Sequence, residues 1–246
     1  MKIGLLAAPN ERSANPADLA RAAEALGFES LWVPEHPILP VNPATKFPTG
    51  GEIPNVYSHM GDQVVALAMA AAVTTRLRLA TGICLVPEHN PLVLANQLAS
   101  LDAFSGGRLI LGIGAGWLRE ESELLGVDFP RRWTQTAEYV AAMRELWRKP
   151  ETGFVGKYVK FTPVRLYPKP AQPDGPPVVI GSLDKNALKR VAKWGDGWCP
   201  IGVPADYLKK QLAALREECQ AAGTGFDRLD ITVMGAIPGD RAKVQE

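Results

Sequence analysis

Glu35 and His36 stand side by side directly after Ser30 to Val33, four residues that read as a short strand. Of the three histidines, His36, His59 and His89, only His36 follows a strand directly. An imidazole at such a place can give or take a proton near neutral pH, so His36 is the first catalytic candidate and Glu35 the second. A second chemically suggestive stretch is Leu109 to Trp117, LILGIGAGW, in which strand residues break into alternating glycines and a tryptophan. Glycines at a strand end let the backbone turn tightly and approach a ligand with no Cβ in the way. A flat ring or a phosphate would fit there, and so would a plain strand-to-helix turn. Two further strand ends, Thr81-Gly82-Ile83 and Gly181-Ser182, have the same character.

Other chemistries lack their residues. The histidines form no HxH or HExxH spacing, and Cys84, Cys199 and Cys219 form no CxxC pair, so no metal centre is expected. There is no GxSxG for a serine hydrolase. Gly112-x-Gly114-x-Gly116 has glycine spacing like that of a dinucleotide fingerprint. It lies on the fourth strand rather than the first, however, and the next strand, Val178 to Ile180, ends in Gly181-Ser182 rather than an acid.

The elements that must hold these residues alternate. Strands are predicted at Ile3 to Ala7, Ser30 to Val33, Leu77 to Leu85, Leu109 to Ile113, Val178 to Ile180, Gly197 to Pro200 and Asp230 to Ala236, with helices between them. Asn15-Pro16-Ala17-Asp18 supplies a helix cap, a proline at N1 and an early acid, and Gly27 supplies the stop. Residues 38–57 form a proline- and glycine-rich connection long enough to be a lid or binding loop. Around 150–175, short alternating segments such as Gly156 to Phe161 suggest a small antiparallel excursion, an insertion in a single domain spanning 1–246. Seven strands with intervening helices imply parallel right-handed βαβ units. Strand ends at the C-terminal face of a parallel barrel carry the chemistry in that architecture, but an eight-stranded barrel would need one more strand and helix than are read here.

Composition narrows the setting. Hydrophobic residues make up 46% of the 246 and charged residues 22%, ordinary for a globular protein, and the formal net charge is +1. That balance gives no case for nucleic acid or an anionic membrane. No apolar run is long enough to cross a bilayer. Three widely spaced cysteines suit a reducing compartment, so a cytoplasmic protein acting on a small molecule is expected.

The stretch Leu77-Arg78-Leu79-Ala80-Thr81-Gly82-Ile83, then Pro87, Asn90-Pro91 and Leu101-Asp102 to Arg108, leads into LILGIGAGWLREE. It is followed by Tyr167-Pro168-Lys169-Pro170, Pro176 to Ser182 and Gly195-Asp196-Gly197-Trp198. This ordered set resembles the luciferase-like flavin and deazaflavin oxidoreductases, and its closest pattern is the subgroup using coenzyme F420. The resemblance implies an α/β fold of the (β/α)8 TIM-barrel type, here lacking its last β/α unit, and a homodimer as one assembly. It implies His36 beside the redox ring and a bulged third strand at Thr81, Gly82 and Ile83, with a cis peptide backing the ring. It also implies a cofactor border at Gly114, Gly116 and Trp117, and phosphate reception at Gly181 and Ser182. One departure is Ala115, where some F420-dependent dehydrogenases carry a catalytic acid. The activity implied is hydride transfer between F420 and a small organic substrate. The alternatives are an FMN-dependent monooxygenase using reduced flavin and oxygen, and a non-catalytic cofactor-binding protein.

Overall fold

A computed structural model describes residues 2–235, which fall into two compact units divided between Pro177 and Val178. In the first unit the order is β1 (Gly4–Leu6), α1 (Pro16–Ala25), β2 (Ser30–Val33), α2 (Gln63–Val73), β3 (Arg78–Thr81), β4 (Cys84–Leu85), α3 (Pro91–Ser105) and β5 (Leu109–Gly114). It continues with α4 (Arg119–Leu124), α5 (Arg132–Arg148), β6 (Thr152–Val155) and β7 (Lys160–Val164). β1 pairs with β2, β2 with β3, and β3 and β4 with β5, all parallel. Every residue of β2 and β5 is buried, as expected for strands of a parallel sheet covered on both faces. Their Leu31, Leu109, Leu111 and Ile113 join Leu79 of β3 in the core.

The helix ends obey local rules. The Asn15 side chain accepts from the Ala17 N–H ahead of α1, Asp62 from Val65 ahead of α2, and Asn90 from Leu92 and Val93 ahead of α3. α3 closes at Gly106, whose φ of 72° is left-handed.

In this first unit two expectations need correction. The first strand is shorter than Ile3 to Ala7 and is not buried: Ile3 and Leu6 stay exposed, because among the described residues β1 ends the strand order and pairs only with β2. The third strand is not continuous. Leu79 and Ala80 face Leu109 and Ile110, whereas Cys84 and Leu85 face Ile113 and Gly114, so the β3–β4 side carries one extra residue and bulges at Thr81 to Ile83. The peptide bond Gly82–Ile83 is cis there. β5 approaches this bulge so closely that a Cβ on Gly112 would collide with the Thr81 carbonyl oxygen. The antiparallel excursion is the β6–β7 hairpin.

The second unit holds β8 (Val178–Ile180), α6 (Ala187–Trp194), β9 (Gly197–Trp198), α7 (Ala205–Ala221) and β10 (Asp230–Ile231). β8 pairs with β9 and β9 with β10, again parallel. The strand expected over Asp230 to Ala236 ends at Ile231 as regular structure, followed by a bridge between Ile201 and Met234; Ala236 lies outside the described residues. No described helix is long and apolar enough to cross a membrane.

Candidate functional site

β2 delivers Glu35 and His36 to its C-terminal end, and both side chains are buried. Nδ1 of His36 lies 2.6 Å from a carboxylate oxygen of Glu121 on α4, which is fully buried. The indole Nε1–H of Trp117 donates to Nε2 of His36 over 3.2 Å. An indole nitrogen can only donate, so Nε2 accepts, and the ring proton belongs on Nδ1, donated to Glu121. The imidazole is therefore held at both nitrogens as the neutral Nδ1–H tautomer.

A wall of rings covers it. Tyr57 stacks at a tilt on His36 with centroids 4.8 Å apart, and Phe47 packs edge-on against both Tyr57 and Trp117 at 5.4 and 5.5 Å. Phe47 and Tyr57 come from the long connection after β2, the segment expected to be a lid or binding loop. That loop is tied down by Glu120 of α4, whose carboxylate accepts from the backbone N–H groups of Ala44 and Thr45. Burial raises the Tyr57 phenol above its usual range.

Glu35 does not join His36. Its carboxylate accepts from the Leu85 N–H at 2.7 Å and pairs with Nε2 of His89 at 2.8 Å. Burial alone would raise the Glu35 carboxyl, but the bond and charge of His89 and the Leu85 N–H outweigh it and hold it below the usual range. Burial depresses His89, and Glu35 overcompensates and raises it. Cys84 lies beside the pair, and burial, followed by the Glu35 charge, keeps its thiol well above its ordinary value. Glu35, Cys84 and His89 form the one grouping of metal-ligand atom types among the described residues. It is organised as a hydrogen-bonded carboxylate–imidazole pair with a protonated thiol next to it. Gln63 stands close to Glu35 but outside hydrogen-bonding geometry, its buried amide without a partner among the described residues.

A third carboxyl lies under the glycine turn. Glu88 accepts from the Ser122 hydroxyl at 2.7 Å, and a Cβ on Gly116 would come within 2.8 Å of both groups. Gly116 thus leaves room for this contact while its φ of 80° turns the chain toward Trp117. Gly114 ends β5, paired with Leu85. Thr81 is buried and its hydroxyl donates to the Gly112 carbonyl, while Gly82 donates its N–H to Val33 at the end of β2. The first unit therefore gathers the ends of β2, β4 and β5, with His36, Glu35 and Trp117 among them.

Sequence reasoning missed Glu88, His89, Glu120 and Glu121. For the first two a signal was present: Val-Pro-Glu-His occurs twice, at 33–36 starting on the last residue of β2 and at 86–89 directly after β4. Glu120 and Glu121 lie in REESEL, which reads as an ordinary charged helix start; only burial distinguishes Glu121, and only its bonds to the Ala44 and Thr45 N–H groups distinguish Glu120.

In the second unit Gly181 and Ser182 follow β8. The Ser182 hydroxyl donates to Asp184 at 2.7 Å, and its carbonyl accepts from the Trp198 indole. The Asp184 carboxylate also receives the Asn186 N–H and the Arg190 guanidinium. Burial would raise Asp184, yet these donors hold it below the usual range. A set of donors suited to an anion thus stands at the start of α6, holding the chain's own carboxylate.

Residues 3–239 match the luciferase-like monooxygenase family. The chain belongs to that family. Its α/β fold is the barrel type the sequence resemblance implied. An uncharacterised protein of Mycobacterium tuberculosis is 39% identical over 91% of this luciferase-like chain and 80% of its own length. The F420-dependent glucose-6-phosphate dehydrogenase of Kineococcus radiotolerans is 32% identical over 88% of the chain and 61% of its own length. Among solved structures, the monooxygenase RslO1 of Streptomyces bottropensis superposes with a TM-score of 0.79. It is 28% identical, over 95% of the chain and 70% of that protein.

Proposed function

We propose that this luciferase-like protein binds coenzyme F420 and catalyses hydride transfer between it and a small organic substrate. The observation that carries the reading is His36 at the end of β2, held as the neutral Nδ1–H tautomer by Glu121 with Nε2 as its acceptor. The relative named as an F420-dependent dehydrogenase supports the cofactor. When bound, the deazaflavin supplies the hydride acceptor or donor; the protein binds, orients and excludes water.

In the oxidising direction His36 takes the proton of a substrate hydroxyl on Nε2, in exchange for the Trp117 N–H, and Glu121 stabilises the resulting imidazolium. In the reducing direction His36 returns that proton. Thr81, Gly82, Ile83, Gly114, Gly116 and Trp117 form the ring-facing surface, and Phe47 and Tyr57 keep water from His36. Gly181 and Ser182 receive the cofactor phosphate. The donor set there fits an anion, since it already holds Asp184. Glu35 holds His89 and β4 rather than acting on substrate. The protein works as a cytoplasmic enzyme on a small molecule.

A second reading, an FMN-dependent monooxygenase, is favoured by the likeness to RslO1. Titration with F420 and FMN separately, in both redox states and followed by absorbance, distinguishes the two. F420 binding the more tightly, with turnover that consumes no oxygen, is expected. Micromolar FMN binding with no detectable F420 binding would replace the first reading by the second.

A further inference from the structure

The two copies of Val-Pro-Glu-His each give one residue to a buried cluster that the proposed hydride transfer does not use. The first copy gives Glu35 at the end of β2, and the second gives His89 on the turn after β4. Cys84 of β4 joins them, and the carboxylate oxygen, imidazole nitrogen and Sγ all lie within 4.8 Å of one another. Glu35 and Cys84 are buried, while the His89 side chain keeps 22% of its surface exposed, a route to solvent. Gln63, the first residue of α2, stands close to Glu35 with both amide atoms buried and unpartnered among the described residues. The Glu35–His89 hydrogen bond gives that amide nothing, and a buried amide deprived of water and partners costs free energy.

We propose that Glu35, Cys84 and His89 bind one divalent ion of the zinc class, with a water on its fourth position bonded to the Gln63 amide. Carboxylate, imidazole and thiolate are each zinc ligands, and three of them with one water make a tetrahedral set. The sulfur excludes magnesium and calcium, which take oxygen ligands. Zinc bonds of about 2.0–2.3 Å put donor atoms about 3.3–3.6 Å apart in a tetrahedron. The cluster tightens by about 1 Å at its widest to reach that, and the 2.8 Å Glu35–His89 contact opens by about half an ångström. Three carboxylates, Glu35, Glu88 and Asp62, set negative charge around the thiol and imidazole. When the ion binds, the Cys84 S–H bond breaks, its proton goes to solvent and a sulfur–metal bond forms. The His89 ring keeps its N–H on Nδ1 and turns the Nε2 lone pair to the ion. Thiolate and carboxylate then cancel the two positive charges, so the buried site is neutral. The spacings that spoke against a metal centre concern neighbours along the chain, whereas Glu35 and His89 are 54 residues apart. This inference goes beyond hydride transfer and does not depend on it.

The test is a titration of untagged, chelator-stripped protein with cobalt(II) chloride, a spectroscopic stand-in for zinc, followed by absorbance. One equivalent should bring up the visible bands of tetrahedral cobalt and a near-ultraviolet thiolate-to-cobalt band, and zinc chloride should erase both. Cys84→Ser should lose the near-ultraviolet band, whereas Cys199→Ser and Cys219→Ser should keep it. His89→Gln, which retains a donor for Glu35, should weaken cobalt binding at least about tenfold, since even an outer-shell partner is worth that much. The same variant should lose the rise in melting temperature that zinc gives the unaltered protein. No cobalt bands at one equivalent, a thiolate band that survives Cys84→Ser, or unchanged affinity in His89→Gln overturns the proposal. Should Cys84→Ser fail to fold, His89→Gln decides alone.

Discussion

His36 illustrates how a residue can be assigned from sequence for one reason and prove interesting for another. Its place after β2 was legible, because a histidine ending a buried strand stands out. Its partner Glu121, 85 residues away, was not, because nothing in a charged helix start says which carboxylate turns inward. The pairing also changes what a substitution tests. His36→Ala would strand a fully buried carboxylate, a loss that destabilises proteins by about 3–5 kcal/mol, so a lower melting temperature would accompany lost turnover. His36→Asn retains an N–H able to reach Glu121 but offers no base. We expect it to keep a near-native melting temperature while kcat falls by about 10²–10⁴-fold, the usual contribution of a positioned acid–base group. Native kinetics in a folded Asn variant would remove His36 from the chemistry.

At the scale of elements, the cap at Asn15 and the glycine stop at Gly27 announced α1 within a residue or two, since those signals are local. The break between β3 and β4 was legible only through family resemblance; the bulge is a register effect set by β5, which no single strand records. The loop after β2 was recognised by length and composition, but its anchoring needed coordinates. Glu120→Ala removes the acceptor for the Ala44 and Thr45 N–H groups. It should raise KM severalfold with a smaller effect on kcat, and quicken proteolysis between residues 38 and 57; unchanged KM and protease resistance would mean the ring wall holds the loop unaided. In the second unit, Asp184 competes for the donors at α6 that a phosphate would use. Asp184→Asn should therefore bind inorganic phosphate and F420 more tightly, measured by calorimetry at fixed salt. Weaker binding of both would show that the carboxylate organises the loop rather than rivalling the ligand.

For the molecule as a whole, the buried acid–base groups make stability depend on pH. Glu88 ionises near 4.5 when unfolded and near 8 when folded, so between those values the folded protein holds a proton that the unfolded chain has released. Stability then falls as pH rises through that window. His89, raised on folding, contributes stability below its unfolded value that is lost as pH climbs through its folded one. Glu35 acts oppositely, its contribution disappearing as pH falls through its depressed value. Melting temperature should consequently decline from mildly acidic to alkaline pH, and Glu88→Gln should flatten that decline; a rise over the same range would contradict the ionisation states assigned here. Composition, alternation and charge had indicated an ordinary globular α/β protein. They could not disclose this interior, because buried and exposed glutamates are spelled alike.

The Trp117 contact has an optical consequence. Its indole N–H rests on Nε2 of His36, the nitrogen that takes the proton in the proposed hydride transfer, so under that proposal the ring's excited state reports the event. With five other tryptophans in the chain, the signal is the difference between the protein and its Trp117→Phe variant. Its emission should step when His36 gains a proton or a hydroxyl ligand, giving a fluorescent gauge of site occupancy that needs neither label nor cofactor.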